Sequence, residues 1–163
     1  FAAGDVTGKW QLAYVATKEG EVAAANCAGR RETISYQNIP ESIFTIPEIG
    51  CIGLSEKQAI EKQMNIKTGV FPYQALGKAH AAGETVGMAK VIIDRDSHKL
   101  IGVHIAGELA TEIIHIASIA MSAGMTIEQM LKAYWCHPVF SEILMEALLV
   151  CEGKPLHIPG PKK

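Results

Sequence analysis

Apolar residues recur along this chain with periods that change from one stretch to the next, and the changes outline its elements. Residues 11–27 are rich in Ala and have high helix propensity. Residues 1–6 read as the end of a buried strand entering a glycine turn, so the chain is expected to open with a strand-turn-helix unit. Composition turns polar over residues 30–40, with Gln37, Asn38 and Pro40, and a boundary falls there. Short runs of β-forming residues follow at 42–46, 51–54, 67–73, 86–94 and 100–106, broken by Pro47, Gly50, Gly83 and Asp96-Ser97. They predict an antiparallel sheet. Its clearest hairpin joins 88–93 to 100–105 through Arg95-Asp96-Ser97-His98.

Helices punctuate these strands. Ser55 with Gln58, and Thr126 with Gln129, have the spacing of a reciprocal capping box, in which each side chain satisfies a free amide at a helix start. Residues 108–122 form the longest helical segment of this part, with apolar side chains in nearly every direction around the axis. Such a helix is expected to be buried all round, most simply with one side against another subunit. Residues 141–150 carry Ile143, Leu144, Ala147 and Leu148 on one stripe and form a closing helix. The Pro- and Gly-containing tail, 155–163, is expected to be loosely held. The fold class is therefore α+β: an antiparallel β-sheet flanked by helices, preceded by the strand-turn-helix unit. The divisions fall at residues 1–36, 37–152 and 153–163.

A length of 163 residues suits one globular domain with an appended piece and excludes two complete ligand-binding domains. The net charge of -2 comes from interspersed acids and bases, so neither nucleic acid nor an anionic membrane is an expected partner. The most apolar stretch, 109–125, contains Glu112 and His115 and is not expected to span a membrane. Cys27, Cys51, Cys136 and Cys151 form no CxxC pair, the pattern of a reducing, cytoplasmic compartment without structural disulfides. The chain opens on Phe1 with no signal peptide ahead of it, and is expected to be a piece of a longer protein.

His137 and Glu142 are the best candidates for chemistry. An imidazole accepts a proton near neutral pH, and a carboxylate on its other nitrogen fixes the tautomer. Residues five apart do not share a helix face, so Pro138 must turn the chain back over Glu142 in the first turn of the following helix. On spacing alone, a locally bonded loop histidine beside a carboxylate favoured by the helix dipole is the plainer reading. No nucleophile accompanies the pair, since the adjacent Cys136 side chain diverges and reads as a buried, inert thiol. Gly4 to Lys9 superficially suggests a phosphate loop, but only three residues separate Gly4 from Gly8 and Trp10 follows the lysine. His80, His98, His104, His115 and His157 lack metal-ligand spacing, and no metal is expected. His115 reads as a hydrogen-bonded core or interface residue.

Several motifs together carry a resemblance that spans nearly the whole chain. They are Phe1-Ala2-Ala3-Gly4-Asp5, the stretch from Leu12-Ala13-Tyr14-Val15-Ala16 to Glu19-Gly20, and Ile39-Pro40. Phe44-Thr45-Ile46-Pro47-Glu48-Ile49, Val103-His104-Ile105-Ala106-Gly107 and His137-Pro138 with Ser141-Glu142 complete the set. The chain resembles the C-terminal interface (dimerisation) domain of the dihydrolipoamide dehydrogenase family of flavoprotein disulfide reductases, preceded by the trailing part of the FAD domain. The resemblance implies that Asp5 bonds the ribityl or phosphate part of FAD, and that the Leu12 and Ala13 amides face the flavin pyrimidine. It implies a homodimer in which His137, oriented by Glu142, is the base for a dihydrolipoyl thiol at the partner's disulfide. It also implies a cis peptide before Pro138, with the His137 carbonyl facing the partner's flavin.

NAD and the redox disulfide belong to other parts of such an enzyme, so this stretch alone is expected to be inactive. The resemblance implies, as protein partner, the lipoyl domain of a 2-oxoacid dehydrogenase or glycine cleavage complex. The sequence departs from the family at Trp135 and Cys136, where His and Ala are frequent, at Tyr14, where His is frequent, and at the bulkier Phe140. The same domain of another disulfide reductase, or a non-catalytic dimerisation module, is the alternative.

Overall fold

The computed structural model describes residues 1–160. The chain divides into two compact units, Phe1–Ile39 and the remainder from Pro40. The first contains a single turn of 3₁₀ helix, Asp5–Thr7, and helix α1, Ala13–Cys27. Residues 1–6 do not form the expected strand. A strand exists by hydrogen bonding to a neighbour, and no strand is described in this unit. Instead Gly4, with φ of 81°, turns the chain, and its amide donates to the Glu19 carboxylate at 2.6 Å. The Tyr36 hydroxyl donates to the other Glu19 oxygen at 2.7 Å. Glu19 thus ties both flanks of the unit to α1.

The second unit is a five-stranded, wholly antiparallel sheet in the order β1-β2-β5-β4-β3. Its strands are β1 Glu41–Ile43, β2 Ile49–Gly53, β3 Ile66–Pro72, β4 Met88–Asp94 and β5 Leu100–Ala106. The α+β class is as expected. The β4–β5 hairpin pairs Val91 with Val103, and Asp94 accepts from the Ser97 hydroxyl and amide within the turn. The expected first strand is shorter than 42–46: the chain bends over 44–47, leaving Phe44 and Ile46 exposed.

One face of the sheet presents Ile52, Phe71, Ala89, Val91, Val103 and Ile105, all buried. Alternation puts Cys51, Val70, Lys90 and His104 on the other face. The apolar face is covered by α4, Ala110–Ser122, and α6, Glu142–Cys151. Two glycines bring these helices close. A Cβ on Gly50 would lie 2.4 Å from the Ala110 carbonyl oxygen, and one on Gly69 only 2.1 Å from that of Ala147. Short helices α2, Glu56–Glu61, and α5, Ile127–Leu131, begin with the two expected capping boxes, both fully formed. Helix α3, Gly77–Ala82, and the 3₁₀ turn Tyr73–Ala75 before it were not foreseen.

Within the single chain, helix α4 is buried on its sheet-facing side. Ala110, Ile113, Ile114, Ala117 and Ala120 face the sheet, but Ile119 is 70% exposed. His115 is exposed as well, so it is no core residue of this chain. Leu109, with φ of 58°, supplies no side-chain cap, and Glu48 does so from a neighbouring loop. Its carboxylate accepts from the Thr111 amide at 3.1 Å and hydroxyl at 2.7 Å. No helix among the described residues is long and apolar enough to cross a membrane.

Replacing Gly69 by Ala forces α6 off the sheet, because the obstacle is backbone and does not rotate aside. Equilibrium unfolding of the complete polypeptide should show a loss of about 1–3 kcal/mol. Unchanged stability would mean that α6 does not need this close approach.

Candidate active site

Helix α6 starts where the loop 137–141 folds back over its first turn. The Glu142 side chain, only 4% exposed, closes that loop with both oxygens. Oε1 meets Nδ1 of His137 at 2.9 Å, and Oε2 accepts the Val139 amide at 2.9 Å. The peptide between His137 and Pro138 is cis. An ionised carboxylate only accepts, so Nδ1 carries the proton and Nε2 presents its lone pair. No described residue bonds that nitrogen, and the His137 side chain is 62% exposed. This is an oriented imidazole with its basic nitrogen outward.

By contrast, Nε2 of His80 and of His104 each meets a backbone carbonyl, at 2.7 and 3.1 Å, and is occupied as a donor. His137 opens into a cavity of about 530 Å³ walled by Leu131, Tyr134, Trp135, Met145 and Leu149. A mostly apolar wall with an imidazole acceptor suits an aliphatic substrate bearing an acidic hydrogen. Cys136 is exposed, not buried as expected. The inert thiol is Cys151, at the end of α6, whose pKa burial pushes up to about 12. All four cysteines are free, and no group of three or more His, Cys, Asp or Glu among the described residues could hold a metal.

A second imidazole borders the same cavity. Glu146, one helical turn beyond Glu142 and fully buried, accepts Nδ1 of His157 at 2.7 Å and the Leu156 amide at 3.1 Å. The segment after α6 is therefore tied down as far as His157, contrary to the expected loose tail; residues 161–163 lie outside the described residues. The rings of His137 and His157 are nearly parallel, 10° apart in plane, with centroids 6.1 Å apart.

In the first unit, Asp5 is exposed at the start of the 3₁₀ turn, and Leu12 and Ala13 stand at the mouth of α1. Leu12 is the N-cap in extended conformation, and no side chain caps the helix. The first-turn amides of a helix lack intrahelical partners and carry its positive dipole end. An uncapped start of this kind suits a group that gathers negative charge. The Tyr36 hydrogen bond, and after it the Gly4 amide, hold the Glu19 carboxyl below its usual pKa.

Known proteins share this fold. Residues 39–148 match the family described as pyridine nucleotide-disulphide oxidoreductase, dimerisation domain. The chain belongs to that family. It is 37% identical over 163 residues to the dihydrolipoyl dehydrogenase of Chlamydia trachomatis, covering all of this chain and 35% of that protein. To a dihydrolipoyl dehydrogenase of Bacillus subtilis it is 38% identical over 158 residues, 97% of this chain and 34% of the relative. Among solved structures it is similar to the Cu(II) complex of the HOCl-induced flavoprotein disulfide reductase RclA from Escherichia coli. That superposition has a TM-score of 0.84 at 28% identity, over 91% of this chain and 34% of the other. The chain thus spans about a third of the length of the curated relatives it matches.

Within this dimerisation domain, the geometry joins His137, Pro138 and Glu142 in one site, and puts Asp5, Leu12 and Ala13 in the other unit. Sequence reasoning missed Glu146 and His157. A signal was present: a second acid one turn after Glu142, on the face of an otherwise apolar helix.

Two outcomes follow from these contacts. Replacing Glu142 by Gln puts an amide donor against a donor, so unfolding free energy should fall by about 1–3 kcal/mol; an unchanged denaturation midpoint would contradict the double bonding of Glu142. Glu19, whose pKa is lowered on folding, contributes stability that is fully present above the ordinary value of 4.5 and is lost as pH falls through the folded value. The protection of the Gly4 amide against exchange, taken relative to its intrinsic rate at each pH, should therefore fall on acidification below that ordinary value, and less so in Glu19→Gln.

Proposed function

We propose that this chain is the dimerisation domain of a dihydrolipoamide dehydrogenase, in which His137 is the general base for dithiol oxidation and Glu142 orients it. The observation that carries the reading is the 2.9 Å contact between Glu142 Oε1 and His137 Nδ1, with the opposite nitrogen free at the cavity mouth. A thiol is a poor nucleophile until it loses its proton. His137 Nε2 takes that proton, and the thiolate attacks a disulfide in another part of the complete enzyme. Glu142 stabilises the imidazolium that results, at a buried position where water screens their attraction weakly.

Asp5 and the amides at Leu12 and Ala13 would hold FAD, and the uncapped start of α1 fits such a group. When bound, FAD supplies a two-electron acceptor between the dithiol and NAD+. The enzyme acts as a homodimer, each protomer lending its histidine to the other. Exposed Ile119 and Leu109 at the outer side of α4 support that assembly, since large apolar side chains there gain by burial against a partner. The protein substrate is the lipoyl arm of a multienzyme complex. Trp135, on the cavity wall where the resemblance expects histidine, favours a second reading: another disulfide reductase of the same family acting on a different dithiol.

In the complete enzyme, His137→Gln should lower dihydrolipoamide oxidation by about 10²–10⁴-fold, with flavin still bound and NADH-driven dye reduction retained. Normal dithiol turnover in that variant would refute the assignment of the base. A panel of dithiols run with the unaltered enzyme separates the two readings by rank of kcat/KM.

A further inference from the structure

The mechanism above uses one imidazole, yet the cavity is bordered by two. Both belong to the same construction, repeated one turn apart on α6. Glu142 and Glu146 are buried, each takes an imidazole Nδ1 on Oε1, and each takes a backbone amide on Oε2. The consequence is the same for both rings. Nδ1 is protonated, the tautomer is fixed, and no described residue bonds Nε2. The side chains remain open to solvent, 62% for His137 and 37% for His157, and both line the cavity.

A residue that merely fastened the tail would need only a donor for Glu146. It would not need its far edge left bare beside the proposed base, in a ring nearly parallel to it. The alignment of two backed imidazoles, 6.1 Å between centroids, points to a ligand with two acidic hydrogens. A dithiol is such a ligand. Its sulfurs in a 1,3-relationship are spread by three carbons, a separation of the same order as that between the rings.

We propose that His157 is a second general base of this site, taking the proton of the substrate's second thiol. The inference rests on the dithiol reading given above. The first thiol gives its proton to His137 Nε2, and its sulfur attacks a protein disulfide, forming a mixed disulfide and releasing one protein thiolate. The second thiol gives its proton to His157 Nε2. Its sulfur attacks the substrate sulfur of the mixed disulfide, closing the substrate's S–S bond and releasing the second protein thiolate. Two electrons pass to the protein, and one proton rests on each imidazole until water removes it. With a separate acceptor for each thiol, His137 need not be deprotonated between the two attacks.

The test uses the complete enzyme carrying His157→Asn and, separately, His157→Ala. The Asn amide nitrogen lies where Nδ1 does, so it preserves the bond to Glu146 while removing the acceptor at Nε2. Dihydrolipoamide turnover should fall by ~10-fold or more in both variants, with NADH-driven dye reduction unchanged, and added imidazole should restore turnover to His157→Ala. Unaltered dithiol turnover in His157→Asn would overturn the proposal. So would failure of imidazole to rescue His157→Ala, or a parallel loss of dye reduction in both variants, which would make His157 a strap only. His137→Gln, run alongside, tests the parent reading: full turnover there removes the dithiol assignment, whereas loss there with normal His157→Asn removes only the second base.

Discussion

Two buried carboxylates one turn apart on a single helix impose the constraint on which the rest of this domain depends. An ionised carboxylate away from water is costly unless donors surround it. Glu142 and Glu146 each obtain one imidazole and one backbone amide, from the chain just before α6 and just after it. The demand for donors thereby folds both flanking segments over the helix. It also sets two imidazoles with fixed tautomers at one cavity. Stability and candidate chemistry have the same origin here, because the bonds that offset burial are those that aim the rings.

The sheet makes that burial possible. Gly69 in β3 lets the α6 backbone approach within a distance that no side chain would permit, and Gly50 in β2 does the same for α4. The helices then cover one face of the sheet closely enough to keep water from the carboxylates. Glu48 serves α4 as an external cap where Leu109 offers none. The outer side of α4 keeps Ile119 in solvent, and this is where a dimerisation domain has apolar surface to spare.

Much of this architecture was legible in the sequence. The hairpin of β4 and β5, both capping boxes and the apolar stripe of α6 depend on neighbours a few residues away, and local pattern suffices for them. Helix α3 was missed because its short, small-residue sequence carries no amphipathic period. Residues 1–6 were misread because β-forming composition does not supply the partner strand that a ladder requires. What covers the outer side of α4 was not legible, because an all-apolar helix says that its surface avoids water, not what covers each side.

By itself, the sequence determined the period of most elements, the turn at Pro138 and the candidacy of a histidine and a carboxylate across it. Tertiary structure alone decided which histidines have a free nitrogen. His80 and His104 spend Nε2 on backbone carbonyls, whereas His137 and His157 do not. Pro138 and the family resemblance made Glu142 a candidate partner for His137, but nothing local joins Glu146 to a residue eleven positions later in an irregular tail. That pairing forms because the folded chain buries Glu146, and a buried carboxylate must find its donors wherever the fold brings them.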